Sequence, residues 1–168
     1  MLTSNSLIFI DTNVIIEAFR VNCWNLISGY FSLNTVVRCV EEINTGNRGQ
    51  SNNIFIDTNV LISRISSYQI TTVQLVHLEF RLNGNPDLDP GEKELLAYVL
   101  SQSQVENVYF LCSPDRAFIN AVAKVNLLDR VVSLEEMTKA AGGNFTLRKN
   151  FTELWLKNEK TRLIMGSV

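Results

Sequence analysis

A chain of 168 residues, 46% of them hydrophobic, is long enough to bury one good core and too short for a second full domain beside it. With 15 basic against 17 acidic residues and a formal charge of −2, the balance excludes a strongly basic, histone-like nucleic-acid binder, so any basic surface must be local. Cys23, Cys39 and Cys112 are odd in number and sit in apolar runs, which predicts buried reduced thiols and a cytoplasmic setting, and Asp11 interrupts the early apolar run, which argues against a secretory signal or membrane span.

Leu7–Ile10 is an apolar block without alternation, the pattern of a strand buried on both faces of a parallel sheet, and it ends at an aspartate. Thr12 or Asn13 can start a helix through about Arg20. Asn34 or Thr35 can cap a second helix carrying Val36, Val37, Val40 and Ile43 up to Gly46, with room between the two for another short strand. Residues 44–53 read as a polar loop. Helices are expected over residues 58–65 and 73–82, closed by the turn-rich residues 83–87. Asp89, Pro90 and Gly91 then open a helix with Leu95, Leu96, Val99 and Leu100 at helical spacing. Residues 108–111 form a second doubly buried strand, ending at Ser113, Pro114 and Asp115. A helix with Ala117, Phe118, Ala121 and Val122 on one side follows. Residues 130–132 can form a last short strand, and Ser133 with Glu136 makes a capping box. Strands alternating with helices predict an α/β fold, a mostly parallel central sheet flanked by helices in three α/β/α layers. Residues 1–141 constitute this domain. Gly142 and Gly143 set off a tail, residues 142–168, expected as one amphipathic helix with Phe151, Leu154, Trp155, Leu163 and Ile164 opposite Arg148, Lys149, Lys157, Lys160 and Arg162.

Open parallel sheets bind ligands beyond the carboxyl ends of their strands, and two buried strands here end at or near Asp11 and Asp115. A carboxylate beside hydrophobic strand ends needs a donor, a basic partner or a cation. Arg116 is the only basic residue close by in sequence. Two helix-borne acids, Glu42 and Glu92, would complete an all-oxygen set suited to Mg²⁺ or Mn²⁺ and unsuited to softer metals. Each acid also has an ordinary explanation: Asp11 and Asp115 as helix caps, Glu42 as a solvated helix position, Glu92 as a helix N-terminal charge. His77, in an apolar run, reads as a helix-face residue rather than a catalyst.

Four segments in order, IFIDTNVII at residues 8–16, TVVRCVEEINTG at 35–46, DPGEKELLAYV at 89–99 and LCSPDRAF at 111–118, resemble the PIN-domain family, which includes VapC-like toxin ribonucleases. The resemblance spans roughly residues 7–137. It implies a metal site of Asp11, Glu42, Glu92 and Asp115, with Thr12 near the metal and Asn13 and Ser113 in support. Its register selects Glu42 over Glu41; Glu92 fits it, with Ala97 five residues on, and Asp89 and Glu94 are the competitors at that position. The implied activity is Mg²⁺- or Mn²⁺-dependent endonucleolytic hydrolysis of RNA. For toxin members it further implies a protein antitoxin, and it implies a homodimer; no membrane partner is expected. The basic side of the tail then becomes a candidate RNA contact, against the alternative of a docking helix. A catalytically degenerate PIN scaffold that binds RNA or a protein partner without cutting is the competing expectation, and a DNA-directed nuclease a third.

The sequence also carries an echo of its own first motif. IFIDTNVLI at residues 54–62 matches residues 8–16 in eight of nine positions. Were Asp57 the first ligand, Glu79 could serve as the helix acid, but 22 residues would separate them against 31 between Asp11 and Glu42. That leaves little room for the intervening strand and helix. Asp57 is therefore expected to cap a helix.

Overall fold

The computed structural model describes residues 1–45, 54, 56–84, 87–102 and 108–166. Its centre is a four-stranded parallel sheet of β1 (Leu7–Ile10), β2 (Ser32–Val36), β3 (Ser66–Tyr68) and β4 (Tyr109–Cys112), in the order β3-β2-β1-β4. Helices α1 (Thr12–Arg20), α2 (Trp24–Tyr30), α3 (Val37–Thr45), α4 (Thr58–Ile62), α5 (Thr72–Arg81), α6 (Pro90–Ser101), α7 (Arg116–Lys124), α8 (Leu134–Ala140) and α9 (Glu153–Met165) cover it. The predicted α/β class and flanked parallel sheet are therefore observed. The pleat of β1 explains the layering. Phe9 packs into a core with Val36, Leu95, Leu111 and Phe118, whereas Ile8 and Ile10 enter another with Val14, Trp24, Ile27 and Leu134.

Several elements differ from expectation. Asn34–Val36 extends as a strand instead of capping a helix. Leu33 to Val36 are all buried, so their peptide groups need partners, and β1 and β3 supply them. The buried Asn34 amide is satisfied as well, accepting from the Tyr68 hydroxyl and donating to the Ser32 carbonyl, both at 2.9 Å. β3 itself, Ser-Ser-Tyr, has no apolar alternation to announce it. The strand expected over 130–132 shrinks to a single bridge between Leu111 and Val131, because Leu128–Arg130 is already wound into a 3₁₀ turn. The Ser133–Glu136 capping box is present, with reciprocal bonds of 3.1 and 2.7 Å. The three cysteines are buried and free. Gly46 and most of the polar loop of residues 44–53 lie outside the described residues, as do residues 85 and 86 of the turn-rich stretch.

The tail is not one amphipathic helix. Residues 142–148 are largely irregular, Lys149–Phe151 is a 3₁₀ turn, and only α9 is α-helical. Phe151 joins one core and Leu156 the other, while Leu154 and Ile164 are 68% and 66% exposed. What α9 buries beside Leu156 is a charge. Glu159 is 3% exposed and accepts from Arg116 at 2.8 Å and Arg162 at 2.9 Å. A polar anchor of this kind breaks the apolar stripe on which amphipathic reading depends. No helix is long and apolar enough to cross a membrane among the described residues.

Candidate functional site

β1 and β4 are neighbours, yet the chain leaves β1 to build β2 and β3 on one side before returning to β4 on the other. That reversal opens a crevice beyond their carboxyl ends, the position at which open α/β sheets bind ligands. Ile10 is in register with Cys112, so Asp11 and Ser113 follow on adjacent strands and Asp115 comes two residues later.

Asp11 is 1% exposed. Its Oδ1 accepts from the Val14 amide at 2.8 Å and caps α1, but Oδ2 is buried without a hydrogen-bond partner. Asp115 caps α7, accepting from Ala117 at 2.6 Å and Phe118 at 3.2 Å, while its own amide donates to Ser113 Oγ at 3.2 Å. Capping is thus real at both aspartates and accounts for only one oxygen of Asp11. Glu92, in the first turn of α6, is 5% exposed. Its Oε2 accepts weakly from the Asp89 amide at 3.4 Å, and its Oε1 is buried without a partner.

The electrostatics follow from this burial. Loss of water pushes Asp11 up to about 7, helped by the charge of Asp115 and opposed by the Ser113 hydroxyl and the Val14 and Asn13 amides. Burial likewise pushes Glu92 up to about 8, with the charges of Asp11 and Asp115 adding to it. Three of the four expected acids therefore share one electrostatic site. Among the described residues, no lysine or arginine forms a salt bridge to Asp11, Glu92 or Asp115; Arg116 is turned instead to Glu159 at 2.6 Å.

Glu42 stands alongside. Its Oε2 accepts from Thr12 Oγ1 at 2.7 Å and its Oε1 from the Gly91 amide at 3.0 Å, so it joins the residue after Asp11 to the residue before Glu92. A Cβ at position 91 would lie 2.7 Å from that carboxylate, so only glycine permits the approach. Arg38 Nε lies 3.8 Å away, and the charge of Glu42 is not among the main causes that raise Asp11 or Glu92. Thr35, a helix-cap candidate by sequence, lies instead in β2. It donates to the Ile10 carbonyl at 2.8 Å and ties β2 to the end of β1. Asn13 assists Asp11 through its backbone amide, while its side chain is exposed. Cys39 lies in the same neighbourhood, but burial pushes its thiol up to about 11, so it is inert.

Among the competitors, Asp89 is the N-cap of α6, Glu41 is largely exposed and His77 lies on the exposed side of α5. Asp57 caps α4, accepting from Asn59 at 2.9 Å and Val60 at 3.4 Å. The two copies of Asp-Thr-Asn thus fold alike as helix starts, and among the described residues only the first follows a strand.

Among the described residues, no three histidine, cysteine, aspartate or glutamate side chains converge tightly enough as they stand to hold an ion. The donor set nonetheless fits a hard divalent cation. Two buried carboxylate oxygens lack partners on acids that sense each other's charge. Mg²⁺ characteristically keeps several waters and needs only one or two carboxylates. No protein-family model matches the sequence, and a search of curated proteins returns no match.

Proposed function

We propose that the chain is a divalent-metal-dependent ribonuclease that hydrolyses phosphodiester bonds endonucleolytically, as its resemblance to PIN domains implies. The observation that supports this most is the pair of buried, unpartnered oxygens, Asp11 Oδ2 and Glu92 Oε1, at the switch point of a parallel sheet. An unpaired buried carboxylate is costly, and two within one electrostatic field are unexplained by packing or capping. Asp11 and Glu92 would hold Mg²⁺ or Mn²⁺, with Asp115 adding charge. When bound, the cation supplies water activation and charge stabilisation at the scissile phosphate.

The chain's own residues prepare this site. The Val14 amide holds Asp11 by Oδ1 and leaves Oδ2 without a hydrogen-bond partner, while the nearby Ser113 hydroxyl favours its charged form. Glu42 braces Thr12 against Gly91, which sets the spacing between the start of α1 and the start of α6. The competing proposal, a scaffold that binds RNA or a protein partner without cutting, draws on Glu42, whose carboxylate is already engaged by Thr12 and Gly91. Calorimetric titration with Mn²⁺, paired with cleavage of labelled RNA and single-stranded DNA with Mn²⁺ or EDTA, separates the two. The expected result is Mn²⁺ binding that is lost in Glu92→Gln, with RNA cutting abolished by EDTA. Absence of both binding and cutting would favour the scaffold.

A further inference from the structure

The tail contributes to the crevice itself. Immediately beside Asp115 is a cavity of about 180 Å³, lined by Asn13, Ile16, Asp115, Arg148, Asn150 and Phe151 among others. Four of its seven lining residues come from α1 and the turn after β4, and three from residues 148–151. It is below the roughly 300–1,000 Å³ of a pocket for a drug-sized ligand, so it suits one flat group rather than a whole metabolite.

The tail is fastened here by a buried charge. Glu17, 1% exposed, accepts from Arg20 at 2.6 and 2.7 Å and from the Arg148 backbone amide at 2.9 Å. α1 therefore carries Asp11 and Asn13 at its start and, one turn further on, the group that locks Arg148 in place. Arg148 Nε lies 3.7 Å from Glu17, and its side chain is 47% exposed. The backbone of Arg148 is what Glu17 fixes; its half-exposed guanidinium, a planar fork of donors, suits phosphate by its chemistry.

We infer that this cavity is the subsite for the unpaired nucleotide next to the scissile phosphate of a single-stranded nucleic acid, with Arg148 on the neighbouring phosphate and the amides of Asn13 and Asn150 on the base edge. The inference rests on the nuclease reading of the acidic site. Opposite charges bracket the cavity. A free anion would be attracted by Arg148 and repelled by Asp115, whereas a polynucleotide would satisfy both, with one phosphate at the acids, where a cation would offset their charge, and the next at the arginine. Half-buried Ile16 and the edge of core residue Phe151 give the cavity a small apolar side, and asparagine amides offer both a donor and an acceptor. Only a strand with its base unstacked can enter, so a duplex is excluded.

The test uses the full chain and a labelled single-stranded RNA, with a perfect RNA duplex beside it. Binding is read by fluorescence anisotropy across a salt series and cleavage by kinetics in Mn²⁺. Arg148→Gln keeps the backbone amide that Glu17 accepts from, and Asn150→Ala carries the test if that variant fails to fold. Both are expected to weaken single-strand binding by about tenfold, the scale of one lost polar contact, and to raise KM more than they lower kcat. Arg148→Gln should also reduce the salt slope by about one. Lys157→Gln, an exposed cation on α9 outside the cavity, should behave as wild type. If Arg148→Gln and Asn150→Ala bind and cut like wild type while Asp11→Asn stops cutting, or if Lys157→Gln loses as much as Arg148→Gln, the subsite is refuted and the nuclease reading stands. If wild type does not cut but its binding depends on Arg148 and Asn150, the subsite stands and the nuclease reading falls.

Discussion

At the scale of single residues, the two unpartnered carboxylates dominate. Asp11 and Glu92 both bind protons more tightly in the fold than in the unfolded chain, so protonation helps the metal-free fold. That help is complete below the ordinary carboxylate range and is lost as pH rises through about 7 for Asp11 and about 8 for Glu92. At about 1.4 kcal/mol per unit, even half of the rise at Asp11 from 3.8 to about 7 amounts to about 2 kcal/mol. The metal-free protein should therefore melt lower at pH 8.5 than at pH 6. Asp11→Asn should raise the pH 8.5 melting temperature by roughly 4–8 °C and erase the stabilisation that Mn²⁺ gives wild type, both read by thermal denaturation with and without EDTA. A lower melting temperature for Asp11→Asn at pH 8.5 would mean that its carboxylate is satisfied by the protein alone. Gly91→Ala separates position from stability. The added Cβ meets the end of the Glu42 side chain, which can move aside, and the buried Cys39 Sγ at 3.0 Å, which must give slightly, so stability should fall by about 1 kcal/mol. RNA cutting should nonetheless fall at least about tenfold, because Glu42 no longer braces Thr12 against position 91.

At the scale of elements, β1, β4, α1, α6, α7 and α8 were legible because each joins a hydrophobic pattern to a local signal: an aspartate or serine cap, a proline at N1, a capping box. β3 was not, since a three-residue edge strand of Ser-Ser-Tyr exists only because β2 has a free side to pair. α9 departs from the expected amphipathic stripe for a related reason. Its inward face holds Glu159, and that glutamate becomes a core residue only because Arg116, 43 positions away, closes over it together with the neighbouring Arg162. Glu159→Ala should remove that anchor. Arg116 and Arg162 are 66% and 49% exposed and can return to water, so the loss should be about 1–2 kcal/mol rather than the roughly 3–5 kcal/mol of a fully buried pair. A melting temperature lowered by about 2–8 °C would agree with this. The pair of identical Asp-Thr-Asn motifs teaches the same lesson: both cap helices, and only a preceding strand brings the aspartate to a sheet edge.

At the scale of the whole molecule, the tail and the sheet are one cooperative unit. Phe151 and Leu156 each contribute about 1.5–3 kcal/mol by burial, against a total stability of about 5–15 kcal/mol for a domain. A chain cut after Ala141 should therefore lose its cooperative thermal transition by circular dichroism; retention of a sharp transition would show the tail to be dispensable. The topology also explains how much of the site could be read in advance. Asp11 and Asp115 follow buried strands, so their place on the rim was legible, whereas the crevice depends on the strand order and the contributions of Gly91, Arg148 and Asn150 on chain reversals that no local pattern records. The most direct single measurement is Mn²⁺-dependent cleavage of labelled RNA by wild type, Asp11→Asn and Asp57→Asn under one set of conditions. Cutting lowered at least about a hundredfold by Asp11→Asn and preserved by Asp57→Asn is the expected result; cutting that survives Asp11→Asn, or that fails only in Asp57→Asn, would contradict it.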